Sequence, residues 1–117
     1  KDTYETLFSP GAVRVLGGLW WGGLDAALDA EWLETAGVTH IVGLCEATVP
    51  AVTARTLGLR VLHVDDLLDE PDAPLLPRLA AAAAFVHGCR LGGGCCYVHC
   101  KRGRSRSAAA VIVYLMA

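Results

Sequence analysis

The sequence predicts an α/β fold in which helices flank a central, mostly parallel sheet. Short β-favouring segments such as "GVTHIVGL" at 37–44 and "CCYVH" at 95–99 alternate with segments whose apolar residues recur at helical spacing. Such an alternation is typical of a parallel sheet whose connecting helices cover its faces. Hydrophobic residues make up 54% of the 117 residues and charged residues 19%, which excludes a disordered chain and favours a well-buried core.

The predicted elements follow one another without internal repeats. Gly17 and Gly18 interrupt a β-favouring segment and predict a turn between two strands. In chain order, the elements are two strands within 12–21, a helix at 24–36, a buried strand at 37–44, a short helix within 48–57, a strand at 59–64, a helix from Pro74 and a strand at 95–99. The helix from Pro74 is expected to present the following residues on one face: Leu75, Leu76, Leu79, Ala82, Ala83 and Val86.

We expect one domain spanning residues 1–117, because a chain of this length has no room for two. Residues 108–117 predict a final helix that is apolar on every side, and such a helix has to be covered all round. The sequence ends before any segment that would cover its far side. We therefore expect a domain that is incomplete at its C-terminus and lacks its last helices, with a completing partner as the alternative.

The composition narrows the class of protein further. The longest apolar runs, at 79–86 and 107–117, are shorter than the roughly 18 to 20 residues that a membrane span needs. No signal-peptide pattern opens the chain. The five cysteines are an odd number without a CxxC pattern, which fits thiols in a reducing compartment rather than disulfides or a metal site. We expect a soluble, cytoplasmic protein, with the nucleus and the mitochondrion as alternatives.

Four of the six residues at 101–106 are cationic, and this basic loop follows a predicted strand and precedes a predicted helix. The whole chain carries a net charge of −2 at pH 7 although this loop contributes four positive charges. The positive potential is therefore concentrated in one loop of an otherwise acidic molecule. A protein that binds nucleic acid usually spreads its positive charge over a face. We therefore expect the basic loop to hold a compact anion, and we expect no nucleic-acid partner.

A strand that is followed by a glycine-containing loop and then a helix directs backbone N–H groups and the helix N-terminus at a tetrahedral oxyanion. The same positive surroundings can lower the pKa of Cys100 and make it a thiolate nucleophile at neutral pH. The planar guanidinium of Arg106 can bind two phosphate oxygens, and Ser107 can donate a hydrogen bond to the sulfur. The other residues expected to bind the phosphate group are Lys101, Arg102, Gly103, Arg104 and Ser105.

These residues resemble a known signature. The positions that match HCxxGxxR[ST], the signature of cysteine-dependent protein tyrosine phosphatases, are His99, Cys100, Gly103, Arg106 and Ser107. Further upstream, "VRVLGGLWWGGLDAALDAEWLETAGVTHIVGL" at 13–44 resembles the opening of the dual-specificity phosphatases. The resemblance implies the α/β fold of that family, a supporting role for His99 in holding the loop, and neither a metal nor another cofactor.

The resemblance also implies a two-step mechanism. Cys100 attacks phosphorus to form a cysteinyl-phosphate while an aspartic acid protonates the leaving oxygen, and water then hydrolyses the intermediate with the same aspartate as base. The family carries this aspartate at the end of a strand, where the present sequence has "LHVDD". Asp66 follows the family pattern, with Asp65 as the second candidate and Asp69 as the third.

Two nearby residues raise separate expectations. Gly43 stands where the family generally has Asn, so one polar support beside the basic loop is expected to be absent. Cys45 follows the strand expected to lie beside the strand of Cys100, and the two thiols are candidates for a protective disulfide under oxidation. For Cys95 and Cys96 we expect packing.

The leading functional expectation is a phosphatase that acts on phosphotyrosine, phosphoserine and phosphothreonine in proteins. The sequence has no counterpart of the loop that deepens the pocket of tyrosine-specific enzymes, and a shallow cleft admits the shorter side chains. A phosphoinositide or phospholipid phosphatase is the alternative, because Lys101 and Arg104 stand where lipid-directed relatives also carry bases. A third reading is a non-catalytic, phosphate-binding pseudophosphatase. The expected partner is thus a phosphorylated protein, or a phosphorylated lipid in the alternative.

Overall fold

The structure of the chain is a computed structural model that describes residues 12–45, 47–64, 75–100 and 114. In chain order its elements are β1 Val13–Leu16, β2 Leu19–Gly22, α1 Leu24–Ala27, α2 Ala30–Ala36, β3 His40–Gly43, α3 Ala51–Leu57, β4 Arg60–His63, α4 Leu75–Leu91 and β5 Cys96–His99. The predicted residues that lie outside the described ones are Asp65, Asp66, Asp69, the segment 101–107 and, apart from the helical Tyr114, the final helix.

The five strands form one sheet in the order β1-β2-β5-β3-β4. The last strand in sequence, β5, lies in the middle and pairs in parallel with β2 on one side and β3 on the other. β3 also pairs in parallel with β4, while β1 runs antiparallel to β2. The β1–β2 turn contains Gly18, whose φ of 81° suits a residue without Cβ. The prediction of a mostly parallel central sheet is confirmed.

The single helix predicted over 24–36 is wrong in one respect, because the structure has two helices there. Leu28 ends α1, and Asp29 takes an extended conformation with φ −102° and ψ 92° before α2 begins. The Asp29 carboxylate accepts a hydrogen bond from the Trp32 N–H at 3.0 Å, so Asp29 is the N-cap of α2. The apolar periodicity continues across the break, which is why periodicity alone did not reveal it.

Apolar side chains cover both faces of the sheet, as the alternation of side chains along a strand requires. On one face, Val42 and Val98 belong to a buried cluster with Val86 of α4. On the other face, Ile41 belongs to a cluster with Trp32 of α2. Burying a side chain of this size stabilises the fold by about 1.5 to 3 kcal/mol. Because all four residues of β5 are buried, the strand that leads into the basic loop is held from both faces.

The burial of α4 agrees with the predicted face wherever its side chains are described. Ala82, Ala83 and Val86 are buried, while the side chains of residues 75–79 lie outside the described part. Among the helices that the structure describes, none is both long enough and apolar enough to cross a membrane.

Candidate active site

The candidate site lies at the carboxyl edge of the parallel strands. In the strand register, His99 is opposite Gly22 of β2 and opposite Gly43 of β3, and Gly43 is opposite His63 of β4. The ends of four strands therefore meet along one edge. In open α/β sheets, ligands bind beyond this edge, next to the strand from which neighbouring connections diverge. Here that strand is β5.

Cys100 is the first residue after β5, and the sheet fixes its backbone on both sides. Its N–H donates to the Gly22 carbonyl at 3.2 Å, and the preceding carbonyl, that of His99, accepts from the Leu44 N–H at 2.9 Å. Cys100 is 4% exposed and belongs to the buried cluster that contains Val98. The structure thus places the predicted nucleophile at the central point of the carboxyl edge.

His99 is fully buried, and two neighbours fix its ring. Its Nε2 lies 2.8 Å from the Thr48 hydroxyl oxygen, which is hydrogen-bond distance. The ring of Tyr97 stacks on it with a centroid distance of 5.8 Å. Burial lowers the pKa of His99 to about 4, and this outweighs a smaller raising effect of the Cys100 backbone. The ring is therefore neutral at pH 7.

Gly43 leaves the space that the Thr48 side chain occupies. A Cβ at Gly43 would lie 2.8 Å from the Thr48 hydroxyl oxygen and 3.0 Å from His99 Nε2, which is too close for either contact. The sequence predicted that Gly43 would deprive this region of a polar support. The structure instead places the Thr48 hydroxyl there, so a polar group is present but comes from another position in the chain.

The Tyr97 side chain connects the central strand to the end of β2. Its hydroxyl donates to the Gly23 carbonyl at 2.5 Å, and its ring lies edge-on to Trp32 with centroids 5.2 Å apart. Burial raises the pKa of the Tyr97 phenol, and the nearby Cys100 and Asp25 raise it further. Tyr97 therefore stays protonated and keeps its hydroxyl as a donor.

The end of β4 is tied to the end of β3. His63 Nε2 donates to the Cys45 carbonyl at 2.6 Å, and the Cys45 thiol donates to the Ala47 carbonyl at 3.1 Å. The expectation that the strand of Cys45 lies beside the strand of Cys100 is confirmed by the β3–β5 pairing. The disulfide between the two residues remains a prediction.

A cavity of about 410 Å³ opens beside this edge. The residues that line it are Thr48, Val49, Ala51, Ala54, Arg55, Leu59, Val61 and His63. Most of the wall is apolar, and Arg55 supplies its positive charge. Thr48, which contacts His99, is one of the residues that line this cavity.

The other three cysteines lie towards the opposite end of β5. Cys89 of α4 is buried in the same cluster as Cys96, and Thr39 lies 3.8 Å from the Cys89 sulfur. A hydrogen bond from Cys96 lowers the pKa of Cys89 to about 7, assisted by Thr39 and Arg90. The hydrogen bond with Cys89 raises the pKa of Cys96, and burial raises it further, so the Cys96 thiol stays protonated. The expectation of packing for Cys96 agrees with its full burial.

Of the site residues predicted from the sequence, the structure describes His99 and Cys100 and brings them together at one edge. The loop 101–107 and the three candidate aspartates lie outside the described residues. Sequence reasoning missed Thr48, because it precedes His99 by 51 positions and only the strand register brings the two together. Within the described ranges, no group of three or more His, Cys, Asp or Glu side chains is arranged to hold a metal ion.

A family model described as "Dual specificity phosphatase, catalytic domain" matches residues 19–117. The chain is 38% identical over 106 residues to dual specificity protein phosphatase 15 of Rattus norvegicus, which covers 91% of this chain. The chain spans 43% of the length of that relative.

Solved structures are similar to the chain over most of its length. The crystal structure of human DUSP28 superposes with a TM-score of 0.77 at 37% identity, covering 92% of this chain and 70% of that one. A mouse putative dual specificity phosphatase complexed with zinc tungstate superposes with a TM-score of 0.78 at 37% identity, covering 92% and 65%.

Proposed function

Because the chain belongs to the dual specificity phosphatase catalytic-domain family, we propose that it is an enzyme that removes phosphate from phosphorylated proteins. Its proposed substrates are phosphotyrosine, phosphoserine and phosphothreonine side chains, with no metal or other cofactor. We propose the cytoplasm as its compartment.

The position of Cys100 carries this proposal. The residue directly follows the central strand, has its backbone fixed by β2 and β3, and precedes the basic loop of 101–106. A nucleophile needs such a fixed position, because orientation towards the reacting atom supplies a large part of an enzymatic rate enhancement. Burial lowers the pKa of the neighbouring His99 to about 4, so this ring is neutral and the positive charge for a phosphate comes from the basic loop.

The proposed reaction has two steps. The Cys100 thiolate donates an electron pair to phosphorus, the bond from phosphorus to the side-chain oxygen breaks, and Asp66 gives its proton to that oxygen. Water then attacks the cysteinyl-phosphate, the P–S bond breaks, and the Asp66 carboxylate takes the proton of the water. Inorganic phosphate leaves, and both groups return to their starting states.

The loop after Cys100 supplies the binding energy in this mechanism. Arg106 binds two phosphate oxygens with its guanidinium, and the backbone N–H groups of 101–106 bind the others. A Ser107 hydroxyl stabilises the thiolate when it leaves phosphorus. The mouse relative was solved in a complex with zinc tungstate, and tungstate is a tetrahedral oxyanion like phosphate, which supports the binding of such an anion by this family.

A phosphorylated lipid is the second candidate substrate, on the basis of Lys101 and Arg104 in the loop. Their charges suit a substrate that carries more than one phosphate group. The family model and the most similar relatives are described as dual specificity phosphatases, and the relative of Rattus norvegicus is named a protein phosphatase. We therefore keep the phosphoprotein as the leading substrate.

The test is a turnover assay on the chain with three substrates: 4-nitrophenyl phosphate, a phosphotyrosine and phosphothreonine peptide set, and short-chain phosphoinositides. Cys100→Ser is the matched control, because it replaces only the sulfur atom. We expect the wild type to hydrolyse the aryl phosphate and the peptides, and we expect Cys100→Ser to bind tungstate without turnover. Faster hydrolysis of the lipids would favour the second substrate. A folded wild type that binds tungstate but hydrolyses nothing would favour the pseudophosphatase.

A further inference from the structure

We propose that Thr48 is a positioning residue. In the space that Gly43 leaves open, its hydroxyl orients the His99 ring and keeps the ring proton on Nδ1, and this arrangement favours the thiolate form of Cys100. This inference rests on the proposed function of Cys100 as a nucleophile. It concerns a residue outside the signature loop, on the segment between β3 and α3.

The first step of the argument is the geometry of the hydrogen bond. The Thr48 hydroxyl oxygen lies 2.8 Å from His99 Nε2, and His99 is fully buried. A buried ring nitrogen has no water to replace a lost partner, so removal of this hydroxyl costs more than removal of an exposed one. Thr48 is therefore an obligatory partner of Nε2 in this arrangement.

The second step is the tautomer. A neutral imidazole carries one proton, on either Nδ1 or Nε2, and a hydroxyl that donates to Nε2 leaves the proton on Nδ1. Nδ1 is the ring nitrogen closer to the main chain, and it makes no hydrogen bond with the residues that the structure describes. The Cys100 backbone raises the pKa of His99, as an acceptor near a ring N–H does. The 2.8 Å contact allows either direction, and we assign the Thr48 hydroxyl as the donor to Nε2, which leaves the Nδ1 proton facing the main chain that carries the nucleophile.

The third step is the fit between Thr48 and Gly43. Any Cβ at position 43 would come within 3.0 Å of both members of the hydrogen bond. The absence of a side chain at Gly43 is therefore a condition for this contact. Tyr97 completes the enclosure by stacking on the His99 ring at 5.8 Å, which leaves the ring little freedom to flip.

Two other titratable groups act on this arrangement in the described chain. His63 lowers the pKa of His99 through its charge, and Tyr97 lies close enough to Cys100 to be affected by it. The sequence adds the cations Lys101, Arg102, Arg104 and Arg106 after Cys100. A change at Thr48 leaves all of these groups in place, so its effect on Cys100 can be measured against a constant background.

The test measures the ionisation of Cys100 directly. Iodoacetamide is applied between pH 4 and pH 9, and the alkylated Cys100 peptide is quantified by mass spectrometry, which separates it from Cys89. We expect Thr48→Val to raise the midpoint by roughly 0.5 to 1 pH unit, the size of one net hydrogen bond. Thr48→Ser keeps the hydroxyl and should retain the wild-type midpoint.

Thr56→Val is the matched control, because the Thr56 hydroxyl donates to the Val52 carbonyl within α3 and is exposed. A second readout is the ¹⁵N shift of the His99 ring, which we expect to report a proton on Nδ1 in the wild type and a mixture in Thr48→Val. If Thr48→Val does not fold, Gly43→Ala replaces it, since its Cβ would displace the hydroxyl.

The outcomes separate this inference from the proposed function. If the wild type shows no turnover but the midpoint of Cys100 alkylation is higher in Thr48→Val than in the wild type, the phosphatase is rejected and the positioning role is kept. An active wild type whose midpoint and tautomer are the same in Thr48→Val would overturn the inference, even if the melting temperature falls, because a purely structural contact would act in that way.

Discussion

The ring of Tyr97 stacks on the ring of His99 with an angle of 20° between their planes. The two residues are alternate members of β5, so both side chains lie on the same face of the sheet. The Tyr97 hydroxyl is held by the Gly23 carbonyl. A contact to the residue that follows β2 thereby limits the movement of the Tyr97 ring, which packs on the residue that precedes the candidate nucleophile.

Tyr97→Phe should keep the stack and lose the hydrogen bond to Gly23. We expect a loss of about 1 kcal/mol in the free energy of unfolding, the usual net value of one such bond. Tyr97→Leu removes both contacts and should cost several times more. Urea unfolding of the three proteins measures the difference. Equal losses in Phe and Leu variants would mean that the hydroxyl rather than the ring holds this region.

Gly43→Ala and Gly88→Ala form a matched pair with opposite expected signs. The new Cβ at position 43 would clash with the Thr48 hydroxyl, and overpacking of this kind costs about 1 to 3 kcal/mol. Gly88 lies within α4, and an added Cβ there meets no atom within 4 Å. Alanine is favoured over glycine in a helix by about 0.5 to 1 kcal/mol.

Thermal unfolding of both alanine variants tests this pair. We expect the melting temperature to fall for Gly43→Ala and to rise for Gly88→Ala. A rise for both would show that β3 can shift away from Thr48 without loss, which contradicts the close approach described above.

The stability of the chain should depend on pH through His99. Its folded-state pKa of about 4 lies below the usual value of 6.5, so the unfolded chain binds the proton more readily than the folded one. The stabilisation from a neutral His99 is complete above pH 6.5 and is lost as the pH falls towards 4. The loss reaches up to about 3 kcal/mol.

Urea unfolding of the wild type and of His99→Gln at several pH values between 7.5 and 4.5 measures this effect. The wild type should lose more stability over this range, since glutamine does not titrate. The pKa of His40 is also lowered, mainly by burial, and its contribution is common to both proteins. Parallel curves would mean that the pKa of His99 is the same in the folded and the unfolded chain.

Asp66→Asn should act selectively on substrates with poor leaving groups. Removal of a general acid costs roughly 100-fold or more for an alkyl phosphate such as phosphothreonine. An activated aryl phosphate, whose leaving oxygen needs little protonation, should lose much less. The ratio of the two effects on kcat/KM is the measurement. Asp65→Asn and Asp69→Asn are the controls, and a selective loss in either of them would move the proton donor to that residue.

The fold was largely predictable because its signals are local. The β-favouring segments around "GVTHIVGL" and "CCYVH" and the glycines of the β1–β2 turn mark elements that the structure confirms. The break at Asp29 was not predicted, since an aspartate within an apolar periodicity also suits the exposed face of a continuous helix. Asp29 can act as an N-cap only in an extended backbone conformation, and the packing of α2 determines that conformation.

The candidate site was predictable only in part. His99 and Cys100 are neighbours within one signature, so their proximity follows from the sequence itself. Thr48 lies far from both in the sequence, and its contact depends on the pairing of β3 with β5. The same pairing explains why Gly43 suggested a missing group: a sequence shows which side chain is absent at a position but not which distant residue fills the space.

The central position of β5 has a consequence for the order of folding. The pairs β1–β2 and β3–β4 are joined in the described sheet only through β5, the last of the five strands to leave the ribosome. Until residue 99 has been synthesised, each pair has an open strand edge, and open edges favour aggregation. Since Cys100 follows β5 directly, its surroundings are assembled at the same moment that the sheet closes. A partly unfolded chain in which β5 has left the sheet therefore carries the cysteine without the strand ends that fix its backbone.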